Sequence, residues 1–568
     1  MRRVDLGRFS PEHLPLFQQA AIDARADFNA LIDSLYPADS DPASLLAGPL
    51  SRSPYVSSLF LDCCRLRFVE RLLAGEGVDE IVTDSPVLRE VLARRFRDDG
   101  LPTRAILRTT FGKRLFRRVR PFVRAAKAAL RFARESLAAR GGRRPLPPEP
   151  LTLLDTFLAE GSFRDGAYRD RYYPGLLDAL TTEERSLVRY LPEFPAGEDG
   201  AALTAKALKS GAPFLIKGAY LRPSDYLAAL LSPLKTSAPN ASPCFGRWNA
   251  GPLVRADRRE TAWNEMSLAG VLNYRFARRL REAGARVRLV VDWSENQILD
   301  RGLVLGFRAA YPGVPIVGYC GYIIAPEQHV YSRPTPRERA ADLVPDRLVV
   351  VGPALEDGAR EFDPSLLVST GPAFRFAGVW RQRPHRSPSE ATTVLLALPI
   401  SYEGALDILA LAARTTPLLP RVAFAVKAHP MTTAQELTRR FEVEHGAWPA
   451  AFEFASGDFT DVVGRVDVLA GNTSSTCVEA LAQGVPVLIV GNPRGITEDP
   501  IPPGLAPEMR RAVFTAEEFA RAVVDLAVKD AASLARYAET GRGVRAACFT
   551  PVDEDGVRRL LQLERTKT

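Results

Sequence analysis

Lys427 and His429, in the run AFAVKAHP at 423–430, set a cation and an imidazole just past the carboxyl end of an apolar strand. A lysine offers charge to a phosphate, and a histidine offers a hydrogen bond or a proton. Further along, 466–492 reads VDVLAGNTSSTCVEALAQGVPVLIVGN. Its turn, 471–476, gathers Thr473, Ser474 and Ser475 ahead of a helix, and Glu479 stands one turn into that helix. Hydroxyls and free backbone N–H groups at a helix N-terminus favour an anion. Taken alone, the turn also reads as an N-capped helix of any α/β protein, since Ser and Thr are ordinary caps. Upstream, 287–322 carries a strand that ends in Trp293-Ser294-Glu295-Asn296-Gln297. Glu295 is the carboxylate suited to act as a base or to orient a second substrate, with helix capping as its structural alternative. The loop RDGAYRDRYYPGL at 164–176 crowds Arg, Asp and Tyr before Pro-Gly, which reads as a functional loop or as packed tyrosines with a salt bridge.

The elements that must hold these groups follow from the pattern of apolar residues. The runs 466–470 and 485–490 predict buried parallel strands. Between them Val478, Leu481 and Ala482 share one helix face, and Gly484 ends the helix. Strands are also predicted at 80–84, 289–292, 314–318, 347–353, 393–398 and 423–427, with strand and helix patterns recurring through 151–158 and 214–218. Ser85 followed by Pro86 marks a helix start over 86–96. In open parallel sheets, ligands bind at the carboxyl ends of the strands, which is where the chemistry-bearing residues fall.

Strand-KxHP followed by strand-TSST-helix resembles the C-terminal domain of GT-B-fold glycosyltransferases, particularly bacterial enzymes using CMP-activated sugars such as Kdo and sialic acid. The CDP-glycerol glycerophosphotransferases share the pattern. The resemblance implies that His429, Thr473, Ser474 and Ser475 hold the nucleotide and its phosphate together with Lys427, that His429 is also catalytic, and that Glu479 contacts the donor ribose. Glu295 becomes the catalytic candidate of the N-terminal domain, with Asn296 and Tyr319 on the acceptor side of the cleft. Related surface-polysaccharide transferases often carry a Gly-Tyr-Gln-His type turn where this chain has Gly318-Tyr319-Cys320-Gly321, without the histidine. The function implied is transfer of a sugar from a nucleotide sugar, CMP-linked, to a lipid-linked or growing surface glycan such as O-antigen or capsule. No metal and no other cofactor is needed. The alternatives are a glycerophosphotransferase, a UDP-sugar epimerase of the same fold, or a non-catalytic assembly subunit.

The 568 residues are 46% apolar and 25% charged, an ordinary globular composition with room for two or three domains. The six cysteines and five histidines show no metal-ligand spacing, and a reduced setting fits them. No apolar run reaches membrane-spanning length, and the start MRRVDLGRFSPEH lacks the apolar core of a signal peptide. The net charge of +8 is local: 104–144 holds fourteen Lys and Arg against one acid, Glu135, so the remainder is net acidic. That excludes a general basic face for nucleic acid. Within it Lys113, Arg117, Arg120, Arg124, Lys127, Arg131 and Arg134 step by four and three along one helical stripe. Phe116, Val119, Val123, Ala126, Leu130, Ala133 and Leu137 form the adjacent apolar face. Such a helix reads as a contact for an anionic membrane surface, and the protein as peripheral on the inner face of the cytoplasmic membrane. The alternative is a solvated helix whose arginines cover the protein or bind acceptor phosphates.

The predicted architecture is α/β, with two Rossmann-like domains of GT-B type. The first spans 1–385 and includes the basic insertion at 104–150. The second spans 386–548, and 549–568 forms a terminal helix.

Overall fold

The chain was analysed as a computed structural model describing residues 2–37, 41–75, 77–108, 111–195, 197–235, 243–325, 330–381 and 391–563, with the backbone alone over 111–118. Three parallel sheets organise it. The smallest pairs β1 (Arg3–Asp5), β2 (Glu80–Thr83) and β3 (Arg104–Leu107) in that order. Its core gathers Phe9, Phe17, Phe28, Phe60, Phe68, Leu88 and Phe96, with Val330 and Ile496 reaching in from the other two sheets' segments. A later segment joins it: Phe245 and Trp248 from a short hairpin, and Leu253 and Val254 from helix Gly251–Thr261, lie in the same core. The stretch 1–385, expected as one unit, therefore holds two sheets, and the first is completed by residues from far along the chain.

The second sheet holds β4 (Leu151–Phe157), β5 (Val188–Glu193), β6 (Val287–Trp293), β7 (Ile316–Cys320), β8 (Arg347–Val350) and β9 (Val368–Thr370). Its strands lie in the order β9-β8-β7-β6-β4-β5, all parallel. Numbered within the domain this is 2-1-3-4-5-6, the flavodoxin-like order with one strand added, and its switch point falls between β4 and β6. The segment 214–218 adds no strand; Phe214 makes one isolated bridge to Tyr190, and a short turn of helix follows at Lys217–Ala219. Helices Glu265–Glu282 and Ile298–Ala310 cover one face and come so close that a Cβ on Gly302 would overlap the carbonyl of Gly270.

The third sheet holds β10 (Thr392–Ala397), β11 (Val422–Lys427), β12 (Phe452–Phe454), β13 (Val468–Gly471), β14 (Val487–Val490) and β15 (Arg510–Val513). The order β12-β11-β10-β13-β14-β15 is the 3-2-1-4-5-6 of a dinucleotide-binding domain, with its switch point between β10 and β13. The α/β class with two Rossmann-like parallel sheets expected from the sequence is thus present, with the small first sheet in addition.

The C-terminal helices Ala531–Cys548 and Glu554–Leu560 return to the second sheet. Thr550 donates its N–H to the Val351 carbonyl at 2.7 Å, and Arg558 pairs with Glu184 at 2.7 Å. The first sheet's unit is also tied to the third: Phe9 donates to the Pro493 carbonyl at 2.7 Å, and Arg8 reaches Asp407 at 3.3 Å. Between the first two units, Glu338 lies buried between Arg52 and Arg301, with Arg52 Nη2 at 2.7 Å. The two guanidiniums hold the Glu338 carboxyl below its ordinary range against the opposing effect of burial.

Candidate functional site

The carboxyl end of β11 delivers His429. The N–H of Met431 donates to His429 Nδ1 at 3.1 Å, so the ring hydrogen belongs on Nε2. Burial pushes the imidazole below its ordinary pKa, and the charges of Arg171 and Arg375 push it the same way. His429 is therefore a neutral donor at neutral pH. Lys427 turns elsewhere: its ammonium donates to the Gly457 carbonyl in the loop after β12.

The carboxyl end of β13 delivers the Ser/Thr turn, at the switch point where ligands of this sheet order bind. Asn472 anchors it by donating to the Val490 carbonyl at 3.1 Å. Thr473 sits at φ 65°, left-handed backbone that a β-branched residue adopts only when its surroundings force it. Two contacts do so: its N–H donates to the Glu498 carbonyl at 3.2 Å, and its hydroxyl to Asn472 Oδ1 at 2.9 Å. Ser474 Oγ accepts from the Thr476 N–H at 3.3 Å, and Ser475 opens helix Thr476–Ala482 without a side-chain cap bond. On that helix Glu479 has no ion pair among the described residues. Burial pushes its carboxyl up to about 7, against the pull of Arg375.

The opposite wall comes from the second sheet. Glu295 follows β6 at that sheet's own switch point. Its carboxylate accepts from Trp293 Nε1 at 3.2 Å and from the Gln297 side chain. Asp300 holds the turn from below by accepting the N–H groups of Glu295 (2.9 Å) and Gln297 (3.0 Å). Beneath lies a buried acidic layer in which Asp155 and Glu193 share Lys217. Burial pushes Asp292, beside them on β6, up to about 7.

Two arginines that sequence reasoning did not single out complete the cleft. Arg375, on the 3-10 turn Phe374–Trp380, lies 5.6 Å from the Tyr172 ring and 5.8 Å from the Trp293 ring. Tyr172 and Trp293 themselves meet edge to face at 4.6 Å. Arg375 also acts on His429 and Glu479 of the third sheet's side, so with its ring contact to Trp293 it bridges the two sheets' ends. Arg171, one residue before Tyr172, acts on His429 as well. Neither arginine has a carboxylate partner among the described residues, and both are exposed. The crowded loop at 164–176 thus divides: Arg171 and Tyr172 face the cleft, whereas Tyr173 is buried with its hydroxyl on the Asp155 carbonyl at 2.9 Å. The composition signal was there, but it did not say which residue of the loop turned outward.

Two expected cleft residues lie elsewhere. Tyr319 is fully buried, because β7 runs on to Cys320 and its alternation turns Tyr319 inward, where its hydroxyl donates to the Pro372 carbonyl at 2.5 Å. Asn296 is buried at φ 54° and donates to the Tyr331 carbonyl (2.7 Å) and to Glu338 (3.1 Å), joining the Arg52–Glu338–Arg301 cluster. The basic stripe also divides. The side chains of Lys113, Phe116 and Arg117 lie outside the described ones. Arg124 and Arg131 turn toward the protein, whereas Arg120, Lys127 and Arg134 are exposed. Among the described residues no helix is long and apolar enough to cross a membrane, and no group of residues has the makings of a metal site.

No protein-family model and no curated protein matches this sequence. Solved structures do match. The glycotransferase of kitacinnamycin is 16% identical with a TM-score of 0.41, covering 73% of this chain and 100% of its own. A UDP-N-acetylglucosamine 2-epimerase is 10% identical at 0.40, covering 73% and 95%. A lipopolysaccharide outer core galactosyltransferase in apo form is 12% identical at 0.37, covering 72% and 99%. Likeness at this level carries nothing about activity, which rests on the cleft.

Proposed function

We propose that this chain is a glycosyltransferase of GT-B type that moves a sugar from a nucleotide-activated donor to a lipid-linked or growing surface glycan. The observation that carries the reading is the convergence of Arg171, Arg375 and the neutral donor His429 at the carboxyl end of a 3-2-1-4-5-6 sheet, where His429 follows β11, the neighbour of the switch-point strand β10. Uncompensated guanidiniums beside a neutral N–H donor fit a phosphate group. As the bond from sugar to phosphate breaks, negative charge grows on the phosphate oxygens. Arg171, Arg375 and His429 Nε2–H would stabilise it, with the hydroxyls of Thr473, Ser474 and Ser475 around it. In this reading side chains alone neutralise the leaving group, without a metal. Glu479 would accept the ribose hydroxyls. Glu295, held by Trp293 and Gln297, would orient or deprotonate the acceptor hydroxyl.

A CMP-linked acidic sugar such as Kdo is the donor we favour. It presents two anions, the phosphate and the sugar carboxylate, to two arginines. The surface helix Phe111–Ala138 would hold the enzyme at the inner face of the cytoplasmic membrane, where lipid-linked acceptors are reached. Isothermal titration with CMP, CDP, UDP and GDP tests the donor half; binding to none of them would sink it. A neutral sugar found by mass spectrometry of the glycan product would overturn the acidic donor while leaving the transferase.

A further inference from the structure

Over its described side chains, 119–138, the apolar face of helix Phe111–Ala138 points outward. Val119, Phe122, Val123, Leu130 and Leu137 are exposed, Phe122 by 72% and Leu130 by 64%. The helix is held to the protein by other means: Ala128 and Phe132 are buried, Arg131 pairs with Glu135 and Glu265 at 2.7 Å each, and Arg124 donates to the Glu260 carbonyl. A second helix, Pro223–Lys235, touches it through Tyr226, whose ring lies 5.4 Å from that of Phe132. It too leaves leucines in solvent, Leu227, Leu231 and Leu234, at the i, i+4, i+7 spacing of a single stripe. Buried helices face such stripes inward; here two neighbours face them out.

The charges that the two helices themselves turn to solvent have one sign. Each helix carries one acid, Glu135 and Asp225, and both are paired inward, Asp225 with Arg275 (3.1 Å) and Arg279 (2.8 Å). Arg120, Lys127 and Lys235 are exposed, as is Arg134, which pairs with Asp199 at 2.9 Å. We propose that the two helices form one face whose occupant is an anionic lipid bilayer, with Phe122, Leu130, Leu227, Leu231 and Leu234 at the acyl boundary and Arg120, Lys127, Arg134 and Lys235 at the headgroups. A second copy of the chain fits less well, since a two-fold interface would set the same exposed cations against each other. This inference rests on the peripheral-membrane part of the reading above and not on the transfer chemistry. It gives the second helix a role that its sequence does not advertise, and removes Arg124 and Arg131 from the lipid contact.

Co-sedimentation of the full chain with vesicles tests it. Two compositions serve: phosphatidylcholine alone, and phosphatidylcholine with about a third phosphatidylglycerol. Binding should need the anionic lipid and weaken with salt. A leucine fully buried at the boundary is worth about tenfold in partitioning. The triple variant Leu227→Ser, Leu231→Ser, Leu234→Ser should therefore lose at least about tenfold, as should Phe122→Ser with Leu130→Ser. Val443→Ser, at a residue 76% exposed on the third sheet's domain, should lose nothing. Because the changed residues are exposed, the melting temperature and nucleotide titration should not move, so failure here and failure of the transferase reading are told apart. Wild-type binding by the triple variant, or equal binding to neutral vesicles, overturns the proposal. So does a dimer that the triple variant dissolves in a chain that ignores vesicles, which gives the face to a second copy.

Discussion

Arg375→Ala separates a ligand-binding arginine from a merely stacking one. The guanidinium makes two contacts that matter for folding, over Tyr172 at 5.6 Å and Trp293 at 5.8 Å. At an exposed site each such contact contributes about 0.5–1 kcal/mol, so the fold should lose about 1–2 kcal/mol. A hydrogen bond to a charged phosphate contributes about 1.5–3 kcal/mol. Nucleotide Kd should therefore rise roughly ten- to hundredfold while the protein still melts cooperatively. The same change leaves an electrostatic signature. Removing a positive neighbour makes both proton-bound forms easier to keep, so the His429 pKa should rise toward its ordinary value and that of Glu479 should rise above about 7. Calorimetric titration reads the first effect, and an NMR titration of the His429 ring the second. Arg375→Lys should fall between, keeping the charge and losing the planar fork. If every nucleotide binds the alanine variant as tightly as the wild type while the melting temperature falls, Arg375 is a stacking residue and the anion cleft is misread.

Three further outcomes are expected. His429→Ala should lower transfer by at least tenfold in product formation and cost no more than about 1 kcal/mol in urea denaturation, since the ring makes few core contacts; a variant that fails to fold would mark the histidine as structural. Glu338→Gln should cost about 3–5 kcal/mol in the same denaturation assay, because Arg52 and Arg301 would remain buried without their carboxylate; a cost near zero would mean that water reaches the cluster. Asp292 has a folded pKa raised from its ordinary value to about 7, so its contribution is fully present below about pH 4 and is lost as pH rises through 7. Asp292→Asn should accordingly raise the melting temperature relative to wild type at pH 8 and not at pH 4; an equal difference at both would dissociate the effect from titration.

What was legible in the sequence is what local pattern determines. The strand, turn and helix around Thr473 to Glu479 announce themselves through an apolar run, a hydroxyl turn and a helical spacing within one short window. His429 follows because a strand's end can be read from the next proline. Tyr319 shows the margin of such readings. Ending the strand at Gly318 sends the tyrosine into the cleft, whereas two further residues of strand send it into the core. The strand Arg3–Asp5 is too short to show any period, and its partners at 80 and 104, with the hairpin at 244–249, are assembled from afar. Arg171 was one of several candidates in a crowded loop and Arg375 left no trace, because an exposed arginine in a loop looks the same whether it serves solvent or a ligand; only the fold brings the two to one imidazole. The basic helix makes the same point in reverse. Steps of four and three fix a stripe but not the side on which the protein lies. Glu260 and Glu265, more than a hundred residues downstream, draw Arg124 and Arg131 inward. That turns Phe122 and Leu130 out. The side of an amphipathic helix that meets the protein is therefore chosen by its partners, and here they take Arg124 and Arg131 from the basic stripe, with Ala128 and Phe132 beside them, and leave the predicted apolar face outside.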